Sequence, residues 1–98
     1  MTLTTEKNET RLAVSLSGEL NTLTAPELTA LLARELGGVQ ALTLDFTGCD
    51  YVSSAGLRVL LATFKQMKAA GGDMKLSNVG ENFQDVLQNT GLDAVFGV

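Results

Sequence analysis

The residues of this chain best equipped for chemistry are two adjacent hydroxyls, Ser53 and Ser54, set between an apolar strand-like run and a helix-like run. Either can accept a phosphoryl group. The unpaired N–H donors and partial positive charge of a helix's first turn would stabilise a phosphate placed there. The same position also suits a structural task, because serine is a favoured N-cap whose oxygen accepts from a first-turn N–H. Asp45 and Asp50 lie just upstream, but the chain has no histidine, and neither acid has a nucleophile or metal cluster beside it. They read as strand-end and loop-turn residues. Cys49, the only cysteine, has no neighbouring cation in sequence to favour a thiolate and cannot form an internal disulfide. His-based triads and the usual metal clusters are excluded, so no catalytic residue, cofactor or metal site is assigned. No GxGxxG or GxxxxGK[ST] loop follows any strand, which argues against a nucleotide-binding or hydrolysing protein.

These hydroxyls must be positioned by a small scaffold. Ninety-eight residues, 45% of them hydrophobic and with one proline, predict a single domain over residues 1–98. Apolar runs such as Val59–Ala62 are far too short for a bilayer core of about 30 Å. The opening residues lack the cationic start and apolar stretch of a targeting segment, which predicts a cytoplasmic protein without direct membrane insertion. A net charge of −4, with seven scattered Lys and Arg, offers no basic stripe for a phosphate backbone, so no nucleic-acid partner is expected.

Leu3–Glu6 and Arg11–Ser17 flank a polar turn and predict an opening hairpin. Gly18–Thr22 is a connecting loop. Thr24-Ala-Pro-Glu27 has the capping-box pattern, Leu23 with Leu28 the pattern of a hydrophobic staple, and Pro26 fits the first turn. A helix is therefore predicted from about Ala25, with Leu28, Leu31, Leu32 and Leu36 inward and Gly37-Gly38 as its stop. Ala41–Phe46 predicts a central strand. A second helix runs from Ser54, with Leu57, Leu60, Leu61, Phe64 and Met67 inward and Arg58, Lys65, Gln66 and Lys68 outward, to Gly71-Gly72. Asp73–Ser77 alternates as a strand. Phe83, Val86 and Leu87 define a third helix ended by Gly91, and Val95–Val98 is expected as an edge strand. The order β-β-α-β-α-β-α-β implies an α/β fold, a mixed sheet with helices on one or both faces.

Gly18-Glu19-Leu20-Asn21-Thr22-Leu23-Thr24-Ala25, then Leu44-Asp45-Phe46, then Tyr51-Val-Ser-Ser-Ala-Gly-Leu-Arg-Val-Leu-Leu61, with Thr90-Gly91-Leu92 near the end, resemble STAS domains, specifically stand-alone bacterial anti-anti-sigma factors. The resemblance spans essentially the whole chain. It implies a STAS-like mixed sheet of four to five strands packed with three to four helices, and a regulatory rather than enzymatic protein. It also implies a phosphorylatable serine at the start of the second helix. Aligning Gly56-Leu57 with the family pattern places that acceptor on Ser54, with Ser53 as the alternative. The unphosphorylated protein would bind an anti-sigma factor that is also a serine kinase and displace its sigma factor; phosphorylation would end the complex, and a serine phosphatase would restore it. Two residues depart from the pattern: Asn21 and Ser53 stand where relatives commonly have Asp.

The expected partner surface is one patch comprising Glu19, Asn21, Thr22, Ser53, Ser54, Ala55, Gly56 and Arg58. Gly56 suits a helix start, and its missing side chain would leave room beside Ser54 for a kinase. Arg58, one turn after Ser54, either meets a phosphate or acidic partner or is simply solvated. The alternatives in class are a STAS subunit of a lipid-transport ATPase complex and a transporter-associated regulatory module, both using a similar surface without phosphorylation.

Overall fold

Leu12, Val14 and Leu16 recur every second residue, as do Leu42, Leu44 and Phe46, and Met74 and Leu76. All eight are buried. Alternation of this kind gives a sheet with one dry face, and the computed structural model, which describes residues 1–98, shows it. Strand β1 (Thr2–Asn8) pairs antiparallel with β2 (Arg11–Ser17), and β3 (Ala41–Gly48) and β4 (Asp73–Ser77) follow in parallel, giving the order β1-β2-β3-β4. Helix α1 (Ala25–Glu35) connects β2 to β3, and α2 (Ser54–Ala69) connects β3 to β4. Parallel neighbours require such crossovers.

The sequence leaves the choice of one or two covered faces open, and burial settles it. Leu12, Leu44 and their like point at the helices, while Ala13, Ser15, Asp73 and Lys75 on the opposite pleat stay exposed. The molecule therefore has two layers around one core of 22 buried hydrophobic residues. Leu28, Leu31 and Leu32 of α1, with Leu36 at its C-cap, enter that core as their spacing predicts. In α2 the fully buried line is Gly56, Leu60, Thr63 and Met67, whereas Leu57, Leu61 and Phe64 lie half-buried along its flank. Thr63 is tolerated inside because its hydroxyl donates to the Val59 carbonyl at 2.7 Å.

The C-terminus corrects an expectation. Helix α3 (Glu81–Thr90) ends at Gly91 in the left-handed conformation, but the chain then re-enters a short helix, α4 (Leu92–Phe96), in place of an edge strand. Phe96 is buried and Leu92 partly so, four residues apart and hence on one helical face; Val95 and Val98 are left outside. The Phe96 ring meets Phe64 of α2 edge-on with centroids 5.6 Å apart, a favoured aromatic geometry.

Candidate functional site

The segments that carry Ser54 and Glu19–Thr24 are 30 residues apart in sequence, yet they are joined as one unit. Leu20 and Val52 form an isolated parallel bridge, with Leu20 N–H donating to the Tyr51 carbonyl at 3.0 Å and Ser53 N–H to the Leu20 carbonyl at 2.8 Å. Both bridging side chains are buried. Position 56 must be glycine for the same reason. A Cβ there would lie 2.8 Å from Leu20 Cγ and 2.9 Å from Val52 Cγ1, inside van der Waals contact with two packed side chains. Gly56 is itself buried. Its missing side chain thus serves the packing of the two loops onto α2, and does not open space beside Ser54 as the sequence suggests.

At the start of α2 the two serines divide the work. Ser53 is the N-cap, in extended backbone, half-buried, and its Oγ accepts from Gly56 N–H at 3.5 Å. Ser54 is the first helical residue, exposed, and its hydroxyl engages no protein group. Capping is satisfied by one serine, leaving the other free for chemistry.

The start of α1 departs from the sequence reading. Thr24 does not cap the helix: it has α-region backbone (φ −99°, ψ −20°) and makes no side-chain cap bond. The reciprocal pair sits three residues earlier. Asn21 Oδ1 accepts from the backbone N–H groups of Leu23 (3.0 Å) and Thr24 (3.1 Å), while Thr24 Oγ1 accepts from Asn21 N–H at 2.9 Å and donates to the Glu19 carbonyl at 2.6 Å. This is the capping-box arrangement shifted upstream by a helical turn. Nor does the predicted staple form, since Leu28 is fully buried while Leu23 is 85% exposed.

Asn21 and Ser53, the two positions where the resemblance leads one to expect Asp, both use a side-chain oxygen as acceptor, Asn21 in the turn that leads into α1 and Ser53 as the N-cap of α2. Capping asks only for a side-chain oxygen that accepts a hydrogen bond, which Asn, Ser and Asp all supply. Asp at either position would supply the same kind of acceptor and add a negative charge.

The remaining candidates fall into place around this unit. Glu19 and Thr22 are exposed, Ala55 is partly buried, and Arg58 is exposed on α2 one turn beyond Ser54. Arg58 makes no salt bridge, the only one in the molecule being Lys68 to Asp73 at 3.1 Å. Cys49 is buried and its Sγ donates to the Tyr51 carbonyl at 3.5 Å; burial pushes its pKa up, away from thiolate chemistry. Asp45 accepts from the Thr47 hydroxyl at 2.6 Å, from Asn78 Nδ2 at 3.0 Å and from the Thr47 N–H at 3.0 Å, which together hold its carboxyl below the usual range. Asp50 accepts from Asn82 Nδ2 at 2.9 Å, tying the β3–α2 loop to α3. Both acids are thus committed to loop structure.

The STAS domain family matches residues 2–98. The chain belongs to it. BtrV of Bordetella bronchiseptica, which carries the name of an anti-sigma factor antagonist, is 34% identical over all of this chain and 85% of its own length. The anti-sigma-B factor antagonist of Bacillus subtilis is 30% identical over 95% of this chain and 85% of its own. The anti-sigma factor antagonist SpoIIAA has the same fold. Its unphosphorylated form superposes with a TM-score of 0.82 at 18% identity, covering 99% of this chain and 98% of that one. Its phosphorylated form gives 0.77 at 21%, covering 95% and 86%.

Two further residues of this STAS domain's exposed edge escape sequence reasoning. Leu23 stands out beside Thr22, and Tyr51, 53% exposed, lies on the bridged loop two residues before Ser53. In sequence Leu23 looks like half of a staple, and Tyr51 figures only as the first residue of the motif that runs to Leu61. Their isolation from the regular apolar periods of α1 and β3 is the one signal that could have marked them.

Proposed function

We propose that this STAS domain is an anti-sigma factor antagonist controlled by phosphorylation of Ser54. Unphosphorylated, it binds an anti-sigma factor that is also a serine kinase and displaces the sigma factor held there; a serine phosphatase reverses the modification. The observation that carries this reading is the free, exposed hydroxyl of Ser54 on the rim formed by the Leu20–Val52 bridge. The two relatives named as antagonists, at 34% and 30% identity, support the partner class. In the transfer the Ser54 oxygen attacks the γ-phosphorus of ATP, ADP leaves, and the hydroxyl proton passes to the kinase's own base. The antagonist contributes position and performs no catalysis.

The switch needs no refolding. A phosphoserine adds about −1.5 to −2 charge and three acceptor oxygens at a position a partner would otherwise cover. A hundredfold loss of affinity corresponds to only about 2.7 kcal/mol. Loss of close packing at Ser54 and an altered charge beside Arg58 are effects of that order.

The test pairs phosphorylation with binding. The protein is incubated with the anti-sigma factor kinases of its own cell and ATP, and the mass increase is mapped by peptide. Phosphate is expected at Ser54, with loss of kinase binding; Ser54→Ala is expected to stay unmodified and to bind the kinase stably. Undiminished phosphorylation of Ser54→Ala would move the site elsewhere.

A further inference from the structure

Charge on this molecule is segregated. Helices α1 and α2 carry four of the seven cations, Arg34, Arg58, Lys65 and Lys68, against two acids, Glu27 and Glu35. The rest of the chain holds three cations against nine acids. The two helices together thus carry a surplus of positive charge on an otherwise acidic protein, and of their four cations only Lys68 is paired, toward Asp73 of β4.

The same two helices frame an apolar furrow. Between α1 and α2 runs an open groove of about 470 Å³ whose walls include Pro26, Ala30, Ala33, Ala55 and Val59. One end lies at Thr22 and Ala55, the neighbours of Leu23 and Ser54. From Ala33 and Val59 it continues into a second depression bordered by Arg58, Ala62 and Gln66. From Ala55 to Gln66 this path follows about 16 Å of helix, the length of three turns of a docked helix.

We infer that this groove receives an amphipathic helix of the anti-sigma factor, apolar along its buried side and acidic along its flank, with Leu23 of the antagonist as an apolar anchor at the Ser54 end. The inference rests on the antagonist reading above and deepens it. Apolar walls favour the helix's leucine-like side, and the unpaired Arg34, Arg58 and Lys65 favour acidic flanks over basic ones. Leu23 is ready for this use. It sits 85% exposed in a turn already fixed by Asn21 and Thr24, so little ordering remains to be done on binding. Phosphate on Ser54 acts on the same surface, since Arg58 lies four residues on, within reach of a charge-assisted pair. Engaging Arg58 with the phosphate withdraws it from the acidic partner.

The experiment measures, by titration calorimetry, binding of the kinase that recognises the unphosphorylated protein in the assay above. Ala33→Glu and Ala33→Lys place side chains of similar length and opposite charge in the centre of the groove, on an exposed helical position both residues tolerate. Gln88→Glu on α3 is the charge-matched control, and circular dichroism checks each fold. Ala33→Glu is expected to weaken binding at least tenfold, Ala33→Lys distinctly less, Leu23→Ala about tenfold, and Gln88→Glu not at all. Wild-type affinity in Ala33→Glu, while Ser54 phosphorylation still abolishes binding, would overturn the groove and leave the antagonist reading standing. A Lys variant weaker than the Glu variant would overturn the acidic character of the partner. Ala33→Glu abolishing self-association of this chain instead would assign the groove to a second copy. Failure of every candidate kinase to bind or modify the wild-type protein would remove the antagonist reading, and the groove's assignment with it.

Discussion

The two helices that frame the candidate site begin in opposite ways. At α1 the hydroxyl of Thr24 is drawn back into the preceding loop, bonded to the Glu19 carbonyl and Asn21 N–H, and Asn21 closes the turn that leads into the helix by accepting from Leu23 and Thr24 N–H. At α2 Ser53 caps and Ser54 is left with no protein partner. Both starts offer hydroxyls close to first-turn N–H groups, yet only one leaves a hydroxyl for an incoming phosphoryl group. A serine or threonine at a helix start becomes chemically available when a neighbour has taken over its structural duty.

Substitutions at four positions test this contrast by urea unfolding, in falling order of expected effect. The largest is at the joint that holds the two starts together. Gly56→Ala places a Cβ 2.8 Å from Leu20 Cγ, and overpacking there is expected to cost about 2 kcal/mol; an unchanged midpoint would mean that the two loops are not held by this contact. Asn21→Ala removes the oxygen that serves two backbone N–H groups in the turn before α1 and is expected to cost about 1.5 kcal/mol. Asn21→Asp should retain most of that stability, since the cap needs an acceptor and not an amide.

Ser53→Ala gives up a longer bond, 3.5 Å to Gly56 N–H, so about 0.5 kcal/mol is expected. A loss as large as that of Asn21→Ala would show the two caps to be equivalent and erase the asymmetry. Ser54→Ala should move stability by less than about 0.5 kcal/mol in either direction, because its hydroxyl is exposed and unengaged. A clear destabilisation would reveal a structural duty for Ser54 and undercut its assignment as the free acceptor.

Ser54 and Ser53 also show how far a sequence can be read. Spacing alone suits either serine to the cap, and only the family resemblance, aligned on Gly56-Leu57, implies Ser54 as the acceptor; the structure shows Ser53 as the N-cap and the Ser54 hydroxyl without a protein partner. The capping pattern at Thr24–Glu27 is equally plain in sequence and misplaced by a turn, because Asn21 and Thr24 satisfy each other earlier in the chain. Local patterns name the residues able to cap; which pair closes depends on where the rest of the fold holds the loop. Gly56 is a similar case. Its tolerance at a helix start is a local property, but the demand that it be glycine comes from Leu20, 36 positions away in the chain.

The amino-acid sequence by itself determined the strands, the three main helices and the hydroxyl pair between β3 and α2, because strand and helix periods and glycine stops act over a few residues. It also determined the absence of histidine-based chemistry. Tertiary structure alone decided that helices cover a single face of the sheet, that the last five-residue segment coils against Phe64, and that Glu19–Thr24 and Ser53–Gly56 share one rim. It also decided that α1 and α2, the helices with the surplus of cations, leave an apolar groove between them. These are matters of which distant surfaces meet, fixed by packing and by the burial of backbone hydrogen bonds, and no short-range pattern encodes them.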